Sequence, residues 1–261
     1  METNNNGRIF QLEHVTKAYP GKVAIASVSL TIDSGETVAV LGPSGSGKTT
    51  LLHLLGGVIS PDEGSVLLNG HTLADMKPGR ELSQWAGVIH QQFDLVPHLS
   101  VMHNVLAGRL GQWGLVKSLV SLLSPRDRNM ALRALDRVGL SDKLNERTSR
   151  LSGGEQQRVA IARMLVQNPR VIIADEPVAS LDPARARDVM ELISTIVKEA
   201  GKTLIVSLHS IELARDFFTR AIGLRNGEVW FDLPVERVTD DLLSALYALE
   251  GLERESVASQ V

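Results

Sequence analysis

Apolar and polar side chains alternate along residues 9–15 and again along residues 28–32 with the period of a β-strand, within a β-rich stretch at residues 8–41. The pair Ser34-Gly35 interrupts this alternation as a turn. Residues 37–41 are instead a continuous apolar run, which is typical of a parallel strand buried on both faces. The chain is therefore predicted to begin with β-structure, after a polar tail at residues 1–7.

Further along the chain, short apolar runs alternate with segments of helical periodicity. The pattern is mainly helical from about residue 93 to residue 165. Strands that alternate with helices favour a parallel α/β sheet, here with a helical insertion. The expected strands are 65–70, 85–89, 170–175, 203–207 and 221–225, and the expected helices are 49–58, 130–138 and 184–200.

A glycine-rich loop lies between the buried strand and the first helix. Its sequence from Gly42 to Thr49, GPSGSGKT, matches the pattern GxxxxGK[ST]. Glycines let the backbone fold closely around a phosphate, while the loop amides and the helix N-terminus favour an anion. Lys48 would reach the β- and γ-phosphates, and the Thr49 hydroxyl would bind Mg²⁺. The loop therefore predicts binding of a nucleoside triphosphate.

Two acidic residues end a second apolar strand, in the sequence VIIADE from Val171 to Glu176. Ligands of doubly wound sheets bind beyond the carboxyl ends of the strands, so these acids are expected to point toward the phosphates. Asp175 would then hold the Mg²⁺ and Glu176 would polarise the attacking water.

A second glycine motif, LSGGEQQR at residues 151–158, precedes a helix expected from Gln157 to about Val166. Ser152 is a plausible cap, and serine followed by two glycines at a helix N-terminus can bind an anion. A chain with two phosphate-binding surfaces is explained most simply by a two-fold dimer. In that dimer, the second surface of each chain closes the nucleotide site of the other.

These motifs resemble those of the nucleotide-binding subunits of ATP-binding cassette (ABC) transporters, over about residues 8–232. LSGGEQQR resembles the signature motif, ADEP at 174–177 the catalytic strand end, and Ser180-Leu181-Asp182 the D-loop. The resemblance implies an α/β P-loop NTPase (RecA-like) core with an antiparallel β subdomain and an α-helical subdomain at about 93–165. Residues 233–261 are then a C-terminal tail.

The resemblance also implies ATP and Mg²⁺ as cofactors and assigns a role to individual residues. Catalysis falls to Glu176, His209 and Lys48, and the metal ligands are Thr49, Gln91 and Asp175. Gln92 is an alternative to Gln91 as the metal ligand. Tyr19 could instead close the edge of the sheet. Asp182 could organise the dimer interface rather than contact the nucleotide. The implied nucleotide contacts are Tyr19, Gly42, Pro43, Ser44, Gly45, Ser46, Gly47, Lys48, Thr49, Thr50, Gln91, Ser152, Gly153, Gly154 and Asp182.

Composition narrows the classes of partner. Lysine and arginine number 27 against 30 aspartates and glutamates, a net charge of −3, so no nucleic-acid partner is expected. The absence of cysteine excludes a disulfide framework and a cysteine zinc cluster. No apolar run approaches the ~18 residues of a spanning helix, and the polar start lacks the features of a signal peptide. We therefore expect neither a membrane span nor secretion.

Within the family, the segments 104–113, 174–183 and 223–232 resemble most the ATPases of phosphonate importers. This resemblance implies uptake of phosphonate or a related phosphorus oxyanion such as phosphite. It also implies a homodimer bound to two transmembrane permease subunits, served by a periplasmic or surface solute-binding protein. The chain would lie peripherally on the cytoplasmic face of the cell (inner) membrane.

Other interpretations remain open from the residues. The chain could serve an exporter, a lipoprotein-extracting complex or an importer of another small solute. A soluble cassette protein of translation or DNA repair is disfavoured, because those proteins usually fuse two cassettes or carry a coiled coil, zinc site or basic arm. The apolar segments 93–100 and 114–123 fit either a partner surface or ordinary helical packing.

Overall fold

The computed structural model describes residues 7–77, 79–90, 92–113 and 127–248. They fall into two compact units. The first unit contains the residues up to Ala74 together with those from Leu204 onward, and the second unit is Asp75–Thr203. Gln91 and the apolar segment 114–123 lie outside the described residues.

The described residues form ten β-strands and eight α-helices. The strands are β1 (Arg8–Tyr19), β2 (Lys22–Asp33), β3 (Thr37–Leu41), β4 (Glu63–Leu68), β5 (His71–Thr72), β6 (Ala86–Ile89), β7 (Val171–Asp175), β8 (Thr203–Ser207), β9 (Arg220–Arg225) and β10 (Glu228–Pro234). The helices are α1 (Lys48–Leu55), α2 (Leu82–Trp85), α3 (Val101–Leu106), α4 (Arg128–Arg137), α5 (Gly153–Gln167), α6 (Pro183–Ala200), α7 (Ile211–Phe217) and α8 (residues 240–248).

The first unit contains an antiparallel sheet in the order β2-β1-β4-β5. The central pairing is between β1 and β2, in which Leu12 faces Leu30 and Val15 faces Val28. These four side chains are buried, because the inward-facing positions of the strands carry the apolar half of the alternating pattern.

Parallel strands in the same unit carry the predicted phosphate loop, the glycine-rich segment at residues 42–49. Strand β3 pairs in parallel with β8 on one side and with β9 on the other, and β10 adds an antiparallel edge next to β9. Val38, Ala39 and Val40 are fully buried in β3, which confirms the prediction of a strand covered on both faces.

The second unit combines the parallel pair β6 and β7 with helices α2–α6. Helix α5 packs against α3 and α4, and Leu135 of α4 and Val159 of α5 are fully buried. Helix α6 begins at an Asp182 cap followed by Pro183, and ends at Gly201 in the left-handed conformation.

Most predicted elements are confirmed, and two segments are corrected. Helix α5 begins at Gly153 rather than at Gln157, because Ser152 caps it and the two glycines form its first turn. Residues 92–100 contain turns in place of the expected helix, and the next helix starts only after the Ser100 cap. The strands expected at 170–175, 203–207 and 221–225 agree with β7, β8 and β9 to within one residue.

The described chain continues past β10 with a short turn at Val235–Arg237 and then helix α8. Leu246 of α8 is fully buried. Across the ranges that the structure describes, every helix is too short or too polar to cross a membrane.

The contrast between two side chains of β2 provides a test of this core. Ile25 is fully buried, whereas Val23, two residues earlier, is 50% exposed. We expect Ile25→Ala to lower the free energy of unfolding by about 2–5 kcal/mol, because it leaves a cavity. Val23→Ala should change it by less than about 1 kcal/mol. Urea denaturation followed by circular dichroism measures both, and equal losses would contradict the difference in burial between the two side chains.

Candidate functional site

Glycine conformation shapes the loop between β3 and α1. Gly42, Gly45 and Gly47 have φ angles of 149°, 76° and 108°, which a side chain rarely allows. A Cβ atom at Gly42 would collide with the carbonyl oxygen of Leu224, and one at Gly47 with the carbonyl oxygen of Ala24. Strands β2 and β9 therefore enclose the loop so closely that these two positions accept only glycine.

The start of α1 has the features of an anion site. No side chain among the described residues caps this helix, whose N-cap is Gly47 in the left-handed conformation. The Ser46 hydroxyl is buried and has no hydrogen-bond partner within the described part of the chain. Uncapped helix amides beside a buried hydroxyl suit a ligand rich in acceptor oxygens, such as a phosphate.

Two lysines contact the loop through its carbonyl oxygens. The ammonium group of Lys48 is buried and donates to the carbonyl oxygens of Gly42 at 2.8 Å and Pro43 at 3.1 Å. Lys22, at the start of β2, donates to the carbonyl of Gly45 at 2.6 Å. The position of Lys22 in the sequence does not reveal this contact, because only the folded hairpin brings Lys22 to the loop.

The remaining side chains of the loop lie nearer to solvent. Ser44 and Thr49 are exposed, and Thr50 is half-buried. Thr49 belongs to the first turn of α1, so its hydroxyl lies at the same helix end as the loop amides.

Tyr19 ends β1 beside the hairpin turn, and its side chain is 45% exposed. Asp62 fixes this strand end by accepting hydrogen bonds from the Ala18 amide and the Lys17 ammonium group, both at 2.7 Å. The same two donors lower the pKa of Asp62. The exposed ring is thereby held at the surface of the first unit, where a flat group could stack on it.

His209 lies between β8 and α7, also in the first unit. The preceding residue, Leu208, donates its amide to the carbonyl of Val40 at 3.0 Å, and Ser210 caps α7. His209 itself is exposed. The strand and the helix cap thus fix the backbone on both sides of this imidazole.

The second unit contains the acidic pair at the end of β7. Asp175 is buried, and Glu176 has a φ angle of 46°, in the left-handed region that non-glycine residues rarely occupy. Such a conformation costs about 1–3 kcal/mol and commonly occurs at functional sites. Gln157, fully buried in α5, donates to the carbonyl of Pro177 and so supports the turn after Glu176. A glutamine on the buried face of α5 is a signal that the sequence analysis missed.

The signature segment of the second unit forms a capping box. The Ser152 hydroxyl accepts from the Glu155 amide, and the Glu155 carboxylate accepts from the Ser152 amide at 2.8 Å. The amide and hydroxyl of Ser152 lower the pKa of Glu155. This arrangement confirms the predicted cap at Ser152.

Gly153 and Gly154 differ from the glycines of the phosphate loop. Neither has a positive φ angle, and a Cβ atom placed on either would meet no atom within 4 Å. Nothing in the described chain therefore requires glycine at these two positions. Both lie on the first turn of α5, and Gly154 lines a cleft of about 420 Å³ with Ser152, Arg158 and Leu181.

Two further parts of the candidate site belong to the second unit. Asp182 caps α6 by accepting from the Arg185 amide at 3.1 Å. The segment after Gln91 is held by Arg163 of α5, which donates to the carbonyls of Phe93 at 2.7 Å and Asp94 at 2.8 Å. Burial lowers the pKa of Arg163. Gln92, the alternative to Gln91, is exposed.

The structure thus places the candidate residues in two groups. The first unit contains Tyr19, the loop residues 42–50 and His209, and the second unit contains Ser152, Gly153, Gly154, Asp175, Glu176 and Asp182.

Known proteins resemble this chain in sequence and in fold. The sequence profile of the ABC transporter family matches residues 25–179 of this chain. A protein of Nostoc sp. (strain PCC 7120 / SAG 25.82 / UTEX 2576), called phosphonates import ATP-binding protein PhnC 1, is 44% identical over 247 residues, which are 93% of each chain. The phosphonates import ATP-binding protein PhnC of Pseudomonas putida (strain KT2440) is 46% identical over 231 residues, covering 88% of this chain and 86% of the relative.

Solved structures of ATP-binding cassettes are also similar to this chain in fold. The ATP-binding cassette MJ0796, determined as a dimer in a post-hydrolysis state bound to ADP and Pi, has a TM-score of 0.76 and 35% identity. The match covers 87% of this chain and 99% of that one. The cbiO1 protein of Clostridium perfringens, part of the ABC transporter complex cbiONQ, has a TM-score of 0.74 and 26% identity, and the match covers 98% of this chain and 100% of that one.

Proposed function

The chain belongs to the ABC transporter family, and on this premise we propose that it is the ATP-hydrolysing subunit of an importer for phosphonate or a related phosphorus oxyanion. The observation that carries the ATPase activity is the loop at residues 42–49, where closely packed glycines, helix amides and Lys48 form an anion site. The solute class follows from the relatives, which are phosphonates import ATP-binding proteins over nearly the whole chain.

In this proposal, the loop binds the phosphates of ATP and an aromatic ring binds its adenine. The loop from Gly42 to Thr50 binds the phosphates through its amides and hydroxyls, together with the Lys48 ammonium group. The exposed ring of Tyr19 stacks on the adenine. The buried Ser46 hydroxyl supports this assignment, because a phosphate oxygen would supply the partner that it lacks within the described chain.

In this proposal, Thr49, Gln91 and Asp175 would hold Mg²⁺. Hydroxyl, amide and carboxylate oxygens are the hard donors that this ion prefers, so the residue types fit. The bound ion would neutralise charge on the β- and γ-phosphates.

Two side chains act on the attacking water and the γ-phosphate. Glu176 accepts a proton from the attacking water as a general base, and the exposed His209 holds the γ-phosphate and the water in register. The left-handed backbone of Glu176, supported through Pro177 by Gln157, favours a carboxylate that is fixed in advance rather than mobile.

The nucleotide site is completed by a second copy of the chain. Gly153 and Gly154 have open space where a side chain would be, and close approach to a ligand is a common reason for glycine at such positions. In the two-fold dimer, Ser152 and these glycines of one copy face the ATP bound to the phosphate loop of the other. Leu181 lines the same cleft as Ser152 and Gly154, so its neighbour Asp182 lies next to that cleft. In this proposal, Asp182 contributes to the interface between the two copies.

The dimer transmits its closure to two transmembrane permease subunits. The segment at residues 93–100 is the proposed coupling surface, because it projects Val96 with 49% of its side chain exposed. A solute-binding protein outside the membrane would deliver the phosphonate, and the ATPase would lie peripherally on the cytoplasmic face of the inner membrane.

A comparison of two glycines tests the dimeric site. We expect Gly154→Ala to lower the ATPase rate about 100-fold, because a methyl group would displace a phosphate-binding amide supplied to the partner. The same change should keep or raise the free energy of unfolding, by up to about 1 kcal/mol, since alanine is the better helix former. Steady-state ATP hydrolysis and urea denaturation measure the two effects.

Gly201→Ala is the matched control for this test. Gly201 ends α6 with a φ angle of 59°, so alanine should cost about 1–2 kcal/mol of stability there without changing the ATPase rate. If Gly154→Ala hydrolyses ATP normally, the second copy does not use this glycine.

Uptake measurements test the solute. Cells that lack this gene should lose uptake of a radiolabelled phosphonate, and the wild-type gene should restore it, because the ATPase powers the transporter. The Lys48→Ala gene should fail to restore uptake, since the variant loses its phosphate contact. Competition with unlabelled phosphite and phosphate ranks the transported anions. Unchanged uptake in deletion cells without a second such system would reject phosphonate as the solute.

A further inference from the structure

Gly42, the first glycine of the phosphate loop, makes a hydrogen bond through its amide and another through its carbonyl group. Its amide donates to the hydroxyl of Tyr247 at 3.2 Å, and its carbonyl accepts from the Lys48 ammonium group at 2.8 Å. Tyr247 belongs to α8, which is 205 residues away in the sequence. A side chain near the carboxyl end of the described chain thus contacts the residue where the loop begins.

Gly42 is a sensitive place for such a contact. Its φ angle of 149° is one that only glycine adopts readily, and the backbone at Leu224 leaves no room for a Cβ atom. Because glycine has no side chain, little limits rotation about its backbone φ and ψ angles. The hydrogen bond from its amide to Tyr247 fixes the peptide plane that enters the loop, and the bond to Lys48 fixes the plane that leaves it.

Helix α8 is itself anchored at both ends. At its start, Arg215 donates to the carbonyl of Val238 at 2.9 Å and to the carboxylate of Asp240 at 3.0 Å. Near Tyr247, Arg225 donates to the carbonyl of Ala245 at 2.9 Å, and its guanidinium lies 4.7 Å from the ring centre of Trp230. These anchors make α8 a rigid support for the hydroxyl.

Burial strengthens the contact further. Leu246 is fully buried, and the hydrogen bond between Gly42 and Tyr247 is partly shielded from water. A hydrogen bond removed from water competes less with solvent and holds its geometry better.

We propose that Tyr247 is a positioning residue for ATP hydrolysis: its hydroxyl holds Gly42 and, through Gly42, the placement of Lys48. This inference rests on the proposed function as an ATPase. Tyr247 acts on the nucleotide site through the Gly42 amide rather than as a catalytic group. The segment at residues 240–248 therefore takes part in the catalytic apparatus.

Tyr247→Phe in the full-length chain tests the role, because it removes only the hydroxyl and keeps the ring. We expect the KM for ATP to rise about three- to tenfold, the effect of one lost hydrogen bond, with kcat changed less. The melting temperature should stay within about 4 °C of wild type. In the nucleotide-free protein, amide hydrogen exchange in a peptide covering residues 41–50 should become faster.

Ser244→Ala is the matched control, since it removes a hydroxyl from an exposed position of the same helix. It should leave the KM, the melting temperature and the exchange rates unchanged. A wild-type KM together with wild-type exchange in Tyr247→Phe would overturn the inference, as would a fall in melting temperature without either change. If the wild-type chain hydrolyses no ATP, the proposed function fails, whereas the exchange measurement still tests the contact with Gly42.

Discussion

A phosphate site made from backbone amides requires the chain to bend where a side chain would block it, and this constraint organises the first unit. Gly42 and Gly47 are enclosed by the carbonyl groups of Leu224 and Ala24, so β9 and β2 must lie where they do for the loop to form. The same loop keeps the charge of Lys48 in a buried position by offering it two carbonyl oxygens. Burying an ammonium group without such partners would be costly.

The glycines of the two motifs obey different requirements. Those of the phosphate loop are needed by the chain itself, since their φ angles and close neighbours exclude a side chain. The described residues leave room for alanine at both Gly153 and Gly154. The cap of their helix is formed by the side chains of Ser152 and Glu155 and does not depend on these glycines. The described chain gives no reason for glycine at residues 153 and 154, whereas a ligand that approaches the first turn of α5 would give one. This contrast supports a nucleotide site shared between two copies.

Local signals in the sequence predicted much of this structure. The buried strand at 37–41, the loop after it and the cap at Ser152 each depend on residues that are neighbours in the chain. The start of α5 was predicted four residues late, because two glycines disfavour a helix by propensity while the capping box stabilises it. Lys22, Gln157 and Tyr247 were missed for another reason, since each contacts its partner through the tertiary fold. Single-chain patterns contain no information on such distant pairs.

The measurement that tests the shared site most directly is the mass of the Glu176→Gln variant in solution with ATP and Mg²⁺, determined by sedimentation velocity. Loss of the proposed general base should stop hydrolysis while leaving ATP bound, so we expect a stable dimer that forms only with nucleotide. Lys48→Ala, which removes a proposed phosphate contact, should stay monomeric under the same conditions. A Glu176→Gln chain that binds ATP and remains a monomer would contradict a nucleotide site completed by a second copy.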